Sequence, residues 1–503
     1  MTEESIRSKT RRGSLWSISG TLGSQAISFA IGVTLARILE PADFGLIAAC
    51  LIFIEVGSTL IASSFASALV RKPDVSDLDL STGFVLQLIT AVLAMLVLAG
   101  ISPLLTIMMD DPKVGTVLVA LSTALLVLAF RGIPTVLARR AMEFKPIAIS
   151  NWLEMLSFGV ISITMAVLGF GVWSLVVGRV LASAIAVAQL AFAMRWRPRF
   201  VFSMPACREL LGVATQFAGK EVLADISRNI SYFFAGMKLG MEALGFYSRA
   251  HYLMMLPVTR LSVSVGSVLF PAFSKIQHDD AALRWSFKRA TCVLTMVIFP
   301  LLAGLLVVAP TFITFVYGAR WEPTVLPLQI LCLAGILYSV EPVAVSLINA
   351  RSFLVDDIKR QFVHLMLLAI ATLALSRWGV IGIASAVTFS AFANWLLLMF
   401  LLSRRIGFSA LQYVESVLPG VLGCLVMSLT IAILQDRLQS IFELAGGWLL
   451  LITIITGAVV YYLTLLILDR SMKWRLLNES FAEIQGVISS VTHPLLRALK
   501  AIR

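Results

Sequence analysis

Charge is scarce in this chain: Asp, Glu, Lys and Arg make up 14% of 503 residues, against 59% hydrophobic residues and a mean hydropathy of +0.93. A soluble domain carries about 25% charged residues, so that class is excluded. Reactive side chains are scarcer still. The four histidines show no HxxxH or HExxH spacing, which removes the common zinc-hydrolase pattern. Cys50, Cys207, Cys292, Cys332 and Cys424 pair at no metal or disulfide spacing. No G-x-x-x-x-G-K-[ST] string occurs, so no P-loop binds nucleotide. No catalytic residue, metal or cofactor is expected.

What is present is apolar sequence in runs long enough to cross a bilayer, which needs ~20 residues per helix. The runs span approximately 14–36, 44–70, 82–107, 114–138, 147–168, 171–194, 209–237, 243–274, 290–317, 325–350, 361–376, 379–403, 416–435 and 446–468. The expected fold class is therefore all-α integral membrane, with about 14 transmembrane helices. Of the 40 Lys and Arg, 28 fall at the N-terminus, in every second gap and in the C-terminal tail. Six fall in the alternate gaps. Positive loops stay in the cytosol, so both termini are expected there, as an even number of spans also requires. The net charge of +12 is this orienting signal, and no basic soluble domain exists to use it on nucleic acid.

The first run, with its basic flank, has the look of a signal peptide, but its length and the spans that follow favour an uncleaved anchor. Trp16, Trp173, Trp196, Trp321, Trp378 and Trp448 fall at expected helix ends, as interfacial aromatics do. The gaps on the external side are mostly under about ten residues, too short for the extended carboxylate-bearing loop that a membrane glycosyltransferase or polymerase would need. Asp110–Asp111, the one external acidic pair, sits beside Pro112 and is expected to cap a helix.

A faint duplication runs through the chain. Residues 35–50, LARILEPADFGLIAAC, align without gaps to residues 235–250, AGMKLGMEALGFYSRA, pairing Gly45 with Gly245. Residues 130–142, FRGIPTVLARRAM, align to residues 338–350, YSVEPVAVSLINA, pairing Pro134 with Pro342. Two six-helix lobes repeated in parallel are expected, a transporter arrangement that binds substrate between the repeats at mid-depth. The divisions are residues 1–205 for helices 1–6, 206–405 for helices 7–12, 406–470 for two extra C-terminal helices, and 471–503 for a tail.

Charges within a span cost about 2.5–3.5 kcal/mol each on the insertion scale and are usually functional. Six cations fall there: Arg131, Arg179, Lys220, Arg228, Arg249 and Arg260. Five carboxylates accompany them: Glu55, Glu154, Glu221, Asp225 and Glu341. At ~100° per residue, Lys220, Arg228, Glu221 and Asp225 share one face of the seventh helix. Arg249 and Arg260 stack on one stripe of the eighth, ~16 Å apart. Guanidinium binds phosphate bidentately, so these cations are candidate ligands for an elongated anion. They are equally readable as a self-neutralising network, and Lys220, Glu221 and Arg249 as snorkelling residues near helix ends. The carboxylates fit either ion coupling or pairing with the arginines. Pro134, Pro257, Pro271, Pro300, Pro310 and Pro342 within spans are expected kinks.

In the tail, Leu477, Phe481, Ile484, Ile488 and Val491 recur at helical spacing. They fit a basic amphipathic helix lying on anionic lipid, or one docking a partner.

Five strings then carry a family resemblance: LARILEPADFG, VLARRAMEFKPIA, ALGFYSRAHYLMMLP, LFPAFSKIQHD and VYGARWEPTVLPLQIL. In this order and at these helix boundaries, the chain resembles the polysaccharide transporters, Wzx-type lipid-linked oligosaccharide flippases, of the multidrug/oligosaccharidyl-lipid/polysaccharide flippase superfamily. The resemblance covers residues 10–405 and extends loosely to 470. It implies two lobes forming a V around a central cationic cavity in the bacterial inner membrane. It also implies flipping of undecaprenyl-diphosphate-linked repeat units for exopolysaccharide, capsule or O-antigen (lipopolysaccharide) assembly, by alternating access. The implied partners are the polyprenyl-diphosphate-linked oligosaccharide, membrane lipids and, downstream, a polymerase and export machinery. Two rivals share the superfamily: a peptidoglycan-precursor flippase and a cation-coupled multidrug exporter, the latter favouring an acidic cavity that these cations do not suit.

Overall fold

The computed structural model describes residues 24–72, 74–442 and 446–472. Among them there is no strand. The helices are α1 (24–38), α2 (Pro41–Arg71), α3 (Asp77–Met109), α4 (Lys113–Arg140), α5 (Phe144–Val167), α6 (Val172–Ala193) and α7 (Met204–Pro257). A π-turn (Val258–Ser262) leads to α8 (Val263–Lys275), α9 (Asp280–Val316), α10 (Val325–Tyr338), α11 (Glu341–Ala350), α12 (Leu354–Leu375), α13 (Gly379–Ile406), α14 (Ala410–Phe442) and α15 (Gly446–Met472). Ten described segments are long and apolar enough to cross a membrane; one of them, Leu354–Ile406, holds both α12 and α13. The charged helix α7 is not among the ten. The amphipathic tail and Trp16 lie outside the described residues.

The described residues divide into two compact units, with the boundary inside α7 between Ser248 and Arg249. In the first unit, α2, α3, α4 and α6 pack together and α5 packs on α6. Small residues allow the last contact: the Ser150 hydroxyl donates to the Ala186 carbonyl at 2.8 Å, and a Cβ at Gly178 would lie 1.9 Å from Ser162 Oγ. Close backbone approach of this kind replaces the hydrophobic drive that lipid does not supply.

Helix ends are set by local chemistry. Ser76 and Asp79 form a reciprocal capping box at the start of α3. Asp110 closes α3 in a left-handed conformation, and Asp111 Oδ1 accepts from the Lys113 N–H at 2.8 Å at the start of α4, the capping role expected of the pair. α7 is broken at Gly240, whose φ of 83° and ψ of 176° suit only glycine. This break falls between the expected spans 209–237 and 243–274.

Several basic loop residues are ties as well as charges. The Lys72 ammonium donates to Glu209 at 2.8 Å and to Asp79 at 3.0 Å, and those hydrogen bonds, Glu209 first, hold it above the usual lysine range. Arg140 donates to the Leu69 carbonyl, satisfying part of the α2 C-terminus.

In the second unit, α14 and α15 pack on α9 around Cys292, Met296, Phe299, Met427 and Ile431. The Tyr461 hydroxyl donates to the Met296 carbonyl at 2.8 Å. The two extra C-terminal helices thus complete the core of this unit. Arg284 donates to the Ile406 carbonyl at 2.7 Å, and Gly407 ends α13 in a left-handed conformation. Trp321, expected at the interface, is instead 1% exposed, with Tyr317 edge-on at 5.9 Å. All five cysteines are free and buried.

The duplication recurs in the backbone. Eight of the ten described positive-φ residues form four pairs: Asp110 and Gly318, Met142 and Ser352, Gly171 and Gly379, and Arg195 and Gly407. Their separations are 208, 210, 208 and 212 positions. Each pair lies at a helix end, so the spacing seen at Pro134 and Pro342 recurs between residues 110–195 and 318–407.

Candidate functional site: charged residues inside the helices

The densest group joins α2 to α7. Asp225 is 4% exposed; its Oδ2 accepts from the Thr59 hydroxyl at 2.5 Å and its Oδ1 from Arg228. One turn on, the Asn229 amide donates to Glu55 Oε2 at 2.9 Å and to the Asp225 carbonyl at 3.0 Å. Both carboxylates therefore have donors from the other helix or their own. The Arg228 side chain remains 58% exposed. One nitrogen is held by Asp225, while a guanidinium carries five N–H donors. A buried carboxylate thus fixes a guanidinium that still presents donors at its surface.

The opposite side of α7 is apolar. Ile226, Asn229, Ile230 and Phe233 line a cleft of about 570 Å³ with Ile52, Phe53, Val56, Thr90 and Val97 of α2 and α3. At ~100° per residue, Arg228 points roughly 150° away from that lining. The cleft suits hydrocarbon and the charged face does not share it. A helix with a polar face in mid-span turns that face to protein or to water rather than to lipid.

The remaining expected cations separate by environment. Arg131 on α4 donates to Glu154 Oε2 and to Asn151 Oδ1 on α5, both at 2.6 Å, so it is an interhelical tie. Arg249 lies over the Tyr252 ring at 5.7 Å. Arg179 on α6 and Glu221 on α7 are exposed. The side chains of Lys220 and Arg260 lie outside the described residues; the backbone places Arg260 in the π-turn.

A second cluster joins α11, α12 and α13. Arg360, counted from sequence among the loop cations, is nearly two turns into α12, and its side chain is 4% exposed. It donates to Asp357 Oδ1 through Nε at 3.1 Å and Nη2 at 2.8 Å. Its Nη1 donates to Glu341 Oε1 at 3.0 Å and to Asn394 Oδ1. His364 follows on the same face, 9% exposed, with no hydrogen-bond partner at Nε2 among the described residues. The spacing 357, 360, 361, 364 was the available signal, since it marks one helical face carrying Asp, Arg, Gln and His.

Residues 34–326 match the family described as polysaccharide biosynthesis protein. The chain belongs to that family. This polysaccharide biosynthesis family member is 26% identical over 420 residues to the lipopolysaccharide biosynthesis protein WzxC of Escherichia coli (strain K12), covering 82% of this chain and 85% of WzxC. It is 25% identical to the teichuronic acid biosynthesis protein TuaB of Bacillus subtilis (strain 168), over 66% of this chain and 69% of TuaB. Among solved structures, lipid II flippase MurJ in an inward closed conformation is similar at a TM-score of 0.76 and 16% identity, covering 92% of this chain and 100% of MurJ. An inward-facing multidrug resistance MATE transporter of the MOP superfamily is similar at 0.59 and 16% identity, over 77% of this chain and 96% of that one. The fold of this family member is therefore the MurJ- and MATE-like helical fold, in a multi-pass membrane protein.

Proposed function

We propose that the chain is a non-enzymatic secondary transporter that flips a polyprenyl-diphosphate-linked oligosaccharide from the cytosolic to the outer leaflet of a bacterial inner membrane, for polysaccharide assembly. The observation that carries this reading is Arg228, a half-exposed guanidinium fixed in mid-helix by a buried carboxylate. A diphosphate leaving water needs its hydration replaced by fixed donors, and guanidinium supplies them in matching geometry. The family match and the WzxC and TuaB similarities support a polysaccharide precursor as cargo.

The protein shelters the sugars and diphosphate while the polyprenyl chain stays in lipid. Arg228 is the primary phosphate ligand, with Arg179, Lys220, Arg249 and Arg260 along the route. Arg131 serves chiefly as a tie to Glu154. With both termini in the cytosol, outward movement of each negative charge gains ~2.3 kcal/mol per 100 mV of potential, so no nucleotide is needed.

The experiment is made in cells. Deleting the gene in a strain that makes the polysaccharide should trap the lipid-linked repeat unit in the inner leaflet, inaccessible to an impermeant glycosidase. Outer-leaflet accessibility unchanged by deletion would exclude the reading.

A further inference from the structure

Glu341 opens α11 immediately before Pro342, where the apolar segment Ala319–Ala350 is interrupted between α10 and α11. Proline has no N–H for the Tyr338 carbonyl. Val343 and Ala344 both donate to the Val340 carbonyl instead, at 3.2 and 3.3 Å. The helix ladder is broken there, and broken ladders are where helices bend. Across the break, Glu341 Oε1 accepts from Arg360 at 3.0 Å and from the Asn394 amide at 3.3 Å. The ion pair therefore pins a proline hinge to α12 and α13.

Two carboxylates, Glu341 and Asp357, share the Arg360 guanidinium in a buried setting. Asp357 is fully buried and accepts from Arg360 and from Gln361 at 2.8 Å. Glu341 is 29% exposed and holds Arg360 through one contact. The other elements packed on α11 bring cations only near their ends. α8 carries Lys275; α9 carries Asp280, Arg284, Lys288 and Arg289. Of these, Asp280 is paired with Arg351, Arg284 with the Ile406 carbonyl, and Lys288 with Glu415. α13 offers the neutral amide of Asn394.

We propose that Glu341 is a proton-operated clasp on the α10–α11 hinge: a proton taken from water onto its carboxylate breaks the ion pair with Arg360 and releases the segment to bend. An O–H bond forms on Glu341, and Arg360 stays charged against Asp357. The first unit holds a counterpart with reversed polarity. Arg131 lies three residues before Pro134 and pairs with Glu154 on the next helix, and the duplication equates Pro134 with Pro342. The use of the clasp in transport rests on the alternating-access reading; the clasp itself does not.

The test measures distances in the full chain in lipid nanodiscs, with spin labels at Leu326→Cys and Leu354→Cys, exposed positions flanking the α10–α11 segment. Lowering the pH from about 8 to about 4, into the carboxylate range, should raise a bent population about tenfold in the unsubstituted background. Glu341→Gln should show the acid distribution at both pH values, His364→Gln should keep the pH response, and Pro342→Ala should remove it. A pH-independent distribution, a response retained in Glu341→Gln, or one abolished by His364→Gln would overturn the proposal. Labelled-lipid flipping is measured on the same protein. Flipping without a distance response removes the clasp alone, whereas a distance response without flipping removes the transport reading alone.

Discussion

Gly45 and Gly245 meet reciprocally. A Cβ on Gly45 would lie 1.7 Å from the Met241 carbonyl oxygen, and a Cβ on Gly245 would lie 1.9 Å from the Pro41 carbonyl oxygen. The duplication pairs Pro41 with Met241 and Gly45 with Gly245, so each glycine touches the residue four positions before the other. Reciprocal contact of this kind is what a two-fold relation between repeats generates. The start of α2 and the second half of α7, both within the first unit, approach at backbone distance for this reason.

Substituting either glycine therefore forces the two helices apart. Gly45→Ala and Gly245→Ala are each expected to destabilise the protein by about 1–3 kcal/mol, the range for an overpacked contact. Thermal unfolding in detergent checks it, with Gly100→Ala as control, because a Cβ there meets nothing within 4 Å.

The Arg131–Glu154 pair is partly buried, at 20% and 33% side-chain exposure. Removing Arg131 alone should cost about 1–3 kcal/mol, between the values for exposed and buried pairs. Removing both partners should restore most of that loss. A thermal-stability double-mutant cycle measures the coupling, and additive losses would show that the pair is not a tie.

Arg360 is a harsher case. With Asp357 at 0% exposure beside it, Arg360→Ala leaves buried carboxylate unpaired and should cost about 3–5 kcal/mol. Reduced expression and a lowered unfolding temperature are the readouts, and wild-type stability would contradict the burial.

The helical body and the contact of Asp225 with Arg228 on α7 are legible in sequence, because each depends on spacing along one chain segment. The alignment pairs Gly45 with Gly245, and helical spacing puts Asp225 and Arg228 on one face of α7. Arg360 was missed because loop cations were sorted by position in the gaps, whereas its burial depends on Glu341 and Asn394 from two other helices. Trp321 was misplaced for a similar reason. An aromatic at a helix end is at an interface only if no neighbour covers it, and Tyr317 does. The cleft beside α7 was also beyond sequence reasoning, since three helices shape it.

Orientation has its own test. The five native cysteines are buried, so single cysteines can be added to the native chain. Cysteines replacing exposed Arg139 and Arg404 should resist a membrane-impermeant thiol reagent in intact cells, and one at exposed Trp378 should react. The reverse pattern would invert the topology drawn from the basic gaps.

The most direct measurement concerns Arg228. Purified protein in liposomes, supplied with a fluorescent polyprenyl-diphosphate oligosaccharide, should move the lipid between leaflets. Arg228→Ala should slow this by roughly ten- to a hundredfold, the value of one charged hydrogen-bonding group, and Arg228→Lys should recover part of the rate. Flipping at the wild-type rate by a folded Arg228→Ala protein would contradict the account.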